Sequence, residues 1–377
     1  MAEVHGSCDD RFAAVREALA RNLDGEELGA SVAVDLDGET VVDRWGGFRD
    51  QERTTPWTQD TIVNIWSTTK CVLSLAALML VERGELDLYA PVGDYWPEFS
   101  AKGKKNVEVR HLMSHTSGVP AWEKPFSIKD MYDWATATEL LAAQRPWWEP
   151  GTASGYHSAN QGHLVGEVIR RITGRTFKQF VAEEIAGPLG ADFQVGARQA
   201  DWDRIAPLVP PPRPEANPDA DMTSVAMRTW TGPVMSTKAT TTPEWRAADL
   251  GALNGHSNAR GVLDVLRVIP LGGEVGGRRL LSQKTIDLIF DVQADGVDLV
   301  LEAPYTFGIG YALTPAPSVP YLPEGRVAWW GGWGGSLAVM DVGRRLTFTY
   351  VMNKMGAGLL GSERAESYVR AVYSALD

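Results

Sequence analysis

Residues 67–81 have the sequence Ser-Thr-Thr-Lys-Cys-Val-Leu-Ser-Leu-Ala-Ala-Leu-Met-Leu-Val, in which a serine and a lysine precede an almost wholly apolar run. A run that is apolar on nearly every side predicts a buried helix over residues 72–83, and Gly84 is a suitable C-terminal cap. Positions three apart share one helix face, so Lys70 Nζ is expected within reach of Ser67 Oγ. Ser67 would then stand at the N-terminus of a central helix, where free amides favour a developing negative charge.

A serine hydroxyl three residues before a lysine can form the core of a serine acyl-enzyme. The hydroxyl is a weak nucleophile until a neighbouring base takes its proton. A lysine acts as that base when its surroundings keep the amine neutral. The pair alone leaves a second interpretation open, in which Ser67 merely caps the helix and Lys70 is solvated.

The composition is that of a globular protein with one large or two modest domains: 377 residues, 44% hydrophobic and 22% charged. A net charge of −12 disfavours nucleic acid and anionic membranes as partners. Cys8, in an N-terminal stretch expected to be loose, and Cys71, on the buried helix, are too few for a disulfide framework and are expected as free thiols. Residues 1–10 lack a signal-peptide pattern and no apolar run reaches the ~18 residues of a membrane span. This predicts a cytoplasmic protein, or one whose export segment lies outside this sequence.

Strand-like runs at both ends of the chain predict one antiparallel sheet. Residues 30–36 and 39–45 flank Asp37-Gly38, a strong hairpin signal. Further strands are expected at residues 307–311, 327–330, 336–340 and 346–352. Helices are predicted at both termini and in the middle of the chain, at residues 11–23, 128–144, 162–173 and 362–376. Residues 207–243, rich in Pro, Thr and Asp, are expected to cover a site.

These elements predict an α+β fold with two domains. Residues 1–75 and 245–377 would form an α/β domain, whose antiparallel sheet is built from both chain ends and flanked by the terminal helices. Residues 76–244 would form a mostly helical inserted domain that includes the irregular covering segment. The active site is expected between the two domains.

Three further motifs follow the Ser67–Lys70 pair in order. They are residues 111–119 (His-Leu-Met-Ser-His-Thr-Ser-Gly-Val), residues 148–158 (Trp-Glu-Pro-Gly-Thr-Ala-Ser-Gly-Tyr-His-Ser) and residues 329–336 (Trp-Trp-Gly-Gly-Trp-Gly-Gly-Ser). With the first pair, this order resembles the serine β-lactamase and penicillin-binding superfamily, most closely the class C β-lactamases and the family VIII carboxylesterases. The resemblance covers roughly residues 10–375 and implies the β-lactamase/transpeptidase-like fold.

The resemblance implies roles for individual residues. Ser67 matches the nucleophile and Lys70 its activating partner. Tyr156 matches the tyrosine of the Tyr-x-Asn motif and would move protons as a phenol or a phenolate, while Ser158 stands at the asparagine position. The oxyanion hole would be formed by the backbone amides of Ser67 and Trp333. The residues expected to contact substrate lie in these motifs and are Trp66, His157, Ser158, Trp330, Gly331, Gly332 and Trp333.

The third motif departs from the superfamily pattern in a way that bears on the substrate. Where the superfamily has Lys-Thr-Gly or His-Thr-Gly, this sequence has Trp330-Gly331-Gly332. An indole offers an apolar wall in place of the cation that would bind the carboxylate of a β-lactam. This Trp-Gly-Gly is similar to the pattern of family VIII esterases.

These observations predict a serine carboxylesterase that acts on small-molecule, short-chain esters through a Ser67 acyl-enzyme, with acyl transfer to alcohols as a corollary. An amide-bond enzyme with the same three side chains (a β-lactamase, D-amino-acid peptidase or amidase) is the alternative. A non-catalytic binding protein is a third hypothesis. No Gly-x-Ser-x-Gly elbow supports a Ser-His-Asp triad and no histidine pair has the pattern of a zinc site, so no metal or cofactor is expected. The oligomeric state stays open.

Overall fold

The computed structural model of the chain describes residues 2–123, 125–213 and 220–376. Within these residues the strands are β1 (Val4–Cys8), β2 (Gly29–Leu36), β3 (Glu39–Gly47), β4 (Val63–Asn64), β5 (Phe193–Val195), β6 (Gly255–Ser257), β7 (Glu274–Val275), β8 (Arg278–Arg279), β9 (Ala294–Val297), β10 (Pro304–Phe307), β11 (Ala312–Leu313), β12 (Val327–Gly331), β13 (Leu337–Asp341) and β14 (Leu346–Met352).

Nine of these strands form one sheet, in the order β1-β3-β2-β14-β13-β12-β11-β10-β9. Every neighbouring pair in it is antiparallel. Strand β2, from the N-terminal part of the chain, pairs with the last strand, β14, so segments from both chain ends are neighbours inside the sheet. A small sheet β4-β6-β5 and the hairpin β7-β8 complete the strands.

The helices of the same residues include two at the chain ends and a group in the middle: α1 (Ala13–Asp24), α2 (Thr69–Glu82), α3 (Val109–Met113), α4 (Trp134–Ala143), α5 (Gln161–Thr173), α6 (Phe177–Phe180), α7 (Gly187–Leu189), α8 (Val225–Trp230), α9 (Pro243–Ala247), α10 (Ala259–Leu266), α11 (Gln283–Ile289) and α12 (Glu363–Tyr373). The terminal helices α1 and α12 pack against each other, and α10 packs on β2 and β14. The predicted α+β fold, an antiparallel sheet with terminal helices, is confirmed. The division into two domains stays a prediction.

The central helix α2 is buried along almost its whole length, as its apolar sequence predicts. It packs against α5, α10, α11 and β12 and therefore joins the sheet to the helical region. After it the chain turns at Gly84, whose φ of 70° is a left-handed conformation that glycine adopts without strain. A single buried helix thus positions Ser67 at the junction of both parts of the fold.

The hairpin between β2 and β3 turns at Asp37 and Gly38, as predicted. Both residues have positive φ, 53° and 91°, which suits the twist of a two-residue hairpin and which aspartate and glycine tolerate. The N-terminal stretch differs from the prediction, because Cys8 ends an edge strand paired with β3 rather than lying in a loose segment. Cys71 is buried, as predicted, and burial raises the pKa of its thiol to about 12.

Two predicted elements differ from the structure. The strand predicted at residues 307–311 is wrong except at Phe307, the last residue of β10, because Gly308–Tyr311 form the turn between β10 and β11, in which Gly310 has a φ of 86°. The helix predicted at residues 128–144 begins only at Trp134. Asp133 has extended backbone and its side chain accepts the amide of Thr136, which makes it the N-cap and interrupts the helix.

The predicted covering segment, residues 207–243, is described in part, since residues 214–219 lie outside the described residues. Its described remainder contains α8 and a 3₁₀ turn at Thr237–Thr241. The ring of Trp230, at the end of α8, lies 6.4 Å from the ring of Tyr156. In the part of the chain that the structure describes, no helix has both the length and the apolar character needed to cross a membrane.

Candidate active site

The serine and lysine of the first motif face each other at the start of α2. Lys70 Nζ lies 3.0 Å from Ser67 Oγ. Ser67 stands two residues before the first residue of α2, and its carbonyl accepts the Lys70 amide at 3.0 Å. Trp66, immediately before it, has a φ of 46°, a strained conformation for an aromatic residue that turns the chain sharply into the helix.

The surroundings of Lys70 favour a neutral amine. Its side chain is buried, and burial lowers the pKa of Lys70 well below its ordinary value. Nζ donates to the carbonyl oxygens of Ser158 at 2.7 Å and Ala252 at 3.0 Å. These two carbonyls accept hydrogen bonds from both N–H groups of a neutral amine. The nitrogen lone pair then faces the Ser67 hydroxyl. The geometry therefore suits Lys70 as a proton acceptor for Ser67.

Tyr156 is buried beside this pair. Its ring centroid lies 4.9 Å from Lys70 Nζ, and Trp330 Nε1 donates to its phenol oxygen at 3.3 Å. Burial raises the pKa of the Tyr156 phenol, although hydrogen bonds with Ser67 and Trp330 lower it in part. Of the two states that the sequence left open, the structure therefore favours a protonated phenol over a phenolate.

The backbone around Tyr156 is held by hydrogen bonds from every amide of the turn. Gly155 donates to the carbonyl of His115 at 2.9 Å, and His157 donates to His115 Nδ1 at 3.1 Å. The Ser158 amide donates to the Tyr156 carbonyl at 2.8 Å, which closes a tight turn. This turn positions the Tyr156 phenol and also directs the Ser158 carbonyl at Lys70, so one backbone segment places both groups.

His157 does not line the pocket, contrary to the prediction of a substrate contact. Its side chain has no exposed surface, and its ring nitrogens lie 2.6 Å from Ser117 Oγ and 2.7 Å from the Gly155 carbonyl. Burial lowers the pKa of His157 to about 3, so the ring is neutral near pH 7. Its contacts instead stabilise the turn that carries Tyr156.

The Trp330-Gly331-Gly332 motif brings the sheet against the nucleophile. Trp330 and Gly331 end strand β12, and Gly332 approaches the entry to α2 so closely that a Cβ on it would lie 2.3 Å from the Ile65 carbonyl oxygen. Ser336 Oγ donates to the same carbonyl at 3.1 Å and lies 3.0 Å from Thr68 Oγ1. The third motif and the turn that carries Ser67 are therefore in direct contact.

Replacing Gly332 with alanine is expected to damage both activity and stability. The added methyl group meets a backbone carbonyl, which cannot rotate away, so the strand or the α2 entry must shift. We expect unfolding to require about 1–3 kcal/mol less and kcat to fall about 100-fold, the effect of a misplacement near 1 Å. Thermal unfolding and ester hydrolysis rates measure the two effects.

Gly343→Ala provides the matched control for that variant. Gly343 lies in the turn between β13 and β14 of the same sheet, and a Cβ there would meet Asp341 Oδ1 at an ordinary 3.4 Å. It is expected to retain wild-type rates. Equal behaviour of the two variants would contradict the close-approach argument.

The two amides predicted as an oxyanion hole belong to Ser67 and Trp333. Within residues 2–123, 125–213 and 220–376, neither the Ser67 amide nor the Trp333 amide has an acceptor in hydrogen-bonding geometry. Both belong to the segments that Gly332 brings together. Free amides in such a position can stabilise an oxyanion, so the predicted role remains chemically available to both.

Tryptophans form one wall beside the nucleophile. The ring of half-buried Trp333 lies 5.2 Å from that of Trp66, which in turn contacts Trp245 edge-on at 5.5 Å. Trp66 is only 2% exposed, so it supports Trp333 from beneath and does not itself offer a surface to substrate, contrary to the prediction. Among the described residues there is no group of three or more His, Cys, Asp or Glu arranged to hold a metal ion.

Comparison with known proteins agrees with this arrangement. The sequence profile of the Beta-lactamase family matches residues 13–372. The chain belongs to the β-lactamase family. The esterase/beta-lactamase LipL of Mycobacterium tuberculosis is 31% identical over 375 residues, which cover 96% of this chain and 86% of that protein.

Two solved structures superpose on 99% of the chain. The crystal structure of a family VIII carboxylesterase has a TM-score of 0.93 at 36% identity and covers 99% of this chain and 100% of the other. A penicillin-binding protein homologue from Caulobacter crescentus has a TM-score of 0.88 at 36% identity, with the same coverage. The predicted superfamily resemblance and the prediction of an esterase-type serine hydrolase are confirmed at the level of family and enzyme class.

Several parts of this site carry no signal in the sequence. The carbonyl acceptors of Lys70 belong to Ser158 and Ala252, and any residue could supply them. His115 was not among the predicted site residues, yet its ring and carbonyl accept the His157 and Gly155 amides and hold the turn of Tyr156. The Trp330 indole was expected only as a wall, whereas its N–H contacts the phenol.

Proposed function

We propose that this β-lactamase-family protein is a serine carboxylesterase that hydrolyses short-chain carboxylic esters. One observation carries the proposal: the Lys70 amine, held by two carbonyls, lies 3.0 Å from Ser67 Oγ beside the buried phenol of Tyr156. A relative named an esterase/beta-lactamase and a structural neighbour described as a carboxylesterase support the ester substrate.

The arrangement supports a two-step acyl-enzyme mechanism. Ser67 Oγ attacks the ester carbonyl carbon while Lys70 Nζ takes the hydroxyl proton, and the amides of Ser67 and Trp333 bind the oxyanion. The C–O bond to the alcohol then breaks. The leaving oxygen takes the phenol proton of Tyr156, which regains a proton from the Lys70 ammonium. Water enters in place of the alcohol and reverses these transfers to release the acid and free Ser67.

The third motif favours an ester over a carboxylate-bearing β-lactam. Trp330 is 3% exposed and points its only polar atom at Tyr156, so this position offers a substrate carboxylate no cation. Ser158 also stands where an asparagine would recognise an amide, and its contribution to the site is its backbone carbonyl. Both features weaken β-lactam and amide recognition without removing the nucleophile.

Steady-state hydrolysis of p-nitrophenyl acetate, butyrate and octanoate beside nitrocefin tests the proposal. We expect kcat/KM for acetate and butyrate to exceed that for nitrocefin about 10- to 100-fold or more, since a lost hydrogen bond to a charged group costs about 1.5–3 kcal/mol. The rate with the octanoate ester shows whether the acyl pocket accommodates a longer chain. A preference for nitrocefin would put the amide-bond alternative first.

The same assay examines acyl transfer to alcohols. We propose that the apolar face of half-buried Trp333, packed on Trp66, lets an alcohol compete with water for the acyl-enzyme, because such a surface is poorly hydrated. With p-nitrophenyl butyrate and added 1-butanol, butyl butyrate should accumulate. An unchanged yield of butyric acid would contradict acyl transfer and leave the hydrolase proposal intact.

A further inference from the structure

Asp298 is a fully buried carboxylate that reaches the candidate active site from the turn between β9 and β10. Its Oδ1 accepts the Tyr156 amide at 3.0 Å. The same oxygen accepts the amides of Val300 and Leu301, both at 2.9 Å. One carboxylate oxygen therefore ties the backbone of Tyr156 to a turn that lies 142 residues away in the sequence.

The turn that carries Asp298 is itself closed by backbone hydrogen bonds. The Asp298 amide donates to the Ala303 carbonyl at 3.0 Å, and the Glu302 amide donates to the Asp298 carbonyl at 2.9 Å. Next to it, the Leu299 amide donates to the Ser154 carbonyl at 2.9 Å. The segment before Tyr156 is thus held at two points by a closed turn at the edge of the sheet.

The other carboxylate oxygen of Asp298 differs from the first. Asp298 Oδ2 is buried, and the residues that the structure describes supply it with no hydrogen-bond partner. A buried polar atom without a partner costs free energy and calls for a functional explanation. Through Oδ1 the same carboxylate holds the Tyr156 amide, and this contact is the functional explanation that the geometry offers.

We propose that Asp298 is a positioning residue for Tyr156, and the proposal rests on the proposed function of Tyr156 as proton donor. By fixing the Tyr156 amide, Asp298 keeps the phenol beside Ser67 and Trp330 instead of letting the turn relax. Among the described residues no hydrogen bond joins Asp298 to Ser67 or Lys70, so its action on the site passes through the tyrosine.

The charges around Tyr156 agree with this role. Burial raises the pKa of the Tyr156 phenol, and the negative charge of Asp298 also raises it. The other titratable groups beside the ring are Lys70, with Nζ 4.9 Å from the centroid, His115, whose ring centroid is 5.0 Å away, and the Cys71 thiol. Burial lowers the pKa of Lys70 and of His115 and raises that of Cys71, so all three are favoured in their neutral forms. Asp298 therefore helps to keep a proton on the phenol for the leaving alcohol.

A double-mutant cycle between Asp298 and Tyr156 tests the proposal. We expect Asp298→Ala to lower kcat for p-nitrophenyl butyrate about 100-fold with KM within about threefold, since misplacement near 1 Å has an effect of that size. Tyr156→Phe is expected to cause a larger loss. In the Tyr156→Phe background, Asp298→Ala should lower kcat by at most about a further threefold, because the effects of coupled residues are not additive.

A conservative variant and a distant control separate positioning from general stability. Asp298→Asn keeps an acceptor for the three amides and should recover most of the activity lost in Asp298→Ala. Asp341→Ala removes another fully buried carboxylate, which accepts the Arg344 amide at 3.0 Å at the far end of β13. It should lower the melting temperature while kcat stays within about twofold of wild type, as for sites without shared partners.

Labelling of Ser67 by a fluorophosphonate keeps this test independent of the ester substrate. The probe forms one covalent adduct per folded site, visible by intact mass, and its rate should fall in Asp298→Ala and recover in Asp298→Asn. A wild type that labels but does not turn over esters would overturn the proposed function and leave the positioning measurable. Full additivity of the two substitutions, or an Asp298→Asn variant that labels as slowly as Asp298→Ala, would overturn the positioning role.

Discussion

Ser67→Ala is expected to lower kcat for p-nitrophenyl butyrate by about 10⁴- to 10⁶-fold, the loss seen when a covalent nucleophile is removed. Lys70 and Tyr156 remain in place in this variant, but they have no hydroxyl to deprotonate and no acyl-enzyme can form. Initial rates measure the loss. Intact mass after fluorophosphonate treatment should show one adduct on the wild type and none on the variant.

Ser74→Ala is the matched control for this prediction. Ser74 lies two turns further along α2, is buried and donates its hydroxyl to the Gly310 carbonyl at 2.8 Å. Its loss should lower the free energy of unfolding by about 1 kcal/mol and leave labelling and turnover intact. A Ser67→Ala variant with a tenth or more of wild-type activity would show that the nucleophile lies elsewhere.

Lys70→Met is expected to lower kcat by about 10²- to 10⁴-fold, the usual contribution of a positioned proton acceptor. Methionine fills a similar volume but cannot take the Ser67 proton or return one to Tyr156. In the wild type, kcat/KM should fall as the pH drops through the pKa of Lys70, which burial places well below its ordinary value. A pH–rate profile locates this acidic limb.

The same substitution is expected to change how stability depends on pH. Because the pKa of Lys70 is lower in the folded protein than in the unfolded chain, the unfolded state binds an extra proton at pH values between the two. The wild type therefore gains stability relative to Lys70→Met as the pH rises toward about 10.4, by at most about 1.4 kcal/mol per pH unit. Urea unfolding of both proteins at several pH values measures the difference.

Lys104→Met controls for the removal of a buried lysine. Lys104 has no exposed surface, and its Nζ donates to the carbonyls of Ala101, Ala142 and Gln144. Its substitution leaves those carbonyls unpaired and should cost about 1 kcal/mol or more of stability, with kcat unchanged. If Lys104→Met reduced turnover as strongly as Lys70→Met, the loss would reflect stability and the proton-acceptor role would be contradicted.

Local patterns were enough to predict the elements that carry the reacting groups. The apolar run after Lys70 predicts α2 because a helix buried on all sides needs such a sequence, and the three-residue spacing places the lysine beside Ser67. Asp37 and Gly38 predict the hairpin because they tolerate positive φ. Tyr156 and the Trp330 motif were predicted from the order of the motifs along the chain, which resembles the order in the family.

The boundaries of strands and helices were predicted less accurately where backbone packing excluded the conformation that the residue pattern favours. Residues 308–311, predicted as part of a strand over 307–311, form a turn instead, and Gly308 packs there where a Cβ would lie 2.0 Å from the Ile289 carbonyl oxygen. Only the three-dimensional packing of α11 against this turn reveals that constraint. The same holds for Trp66 and His157, whose burial removes the substrate contacts expected of them.

The sequence by itself determined the buried helix and the Ser67–Lys70 pair at its start, because both depend on residue type and short-range spacing, while the α+β class followed from the strand and helix patterns and Tyr156 from the order of the motifs along the chain. Tertiary structure alone decided what tunes them: the carbonyls of Ser158 and Ala252 on Lys70, and the Asp298 carboxylate on the Tyr156 amide. Backbone acceptors are the same in every residue, and partners more than 80 residues apart meet only when the chain is folded, so no local pattern can encode them.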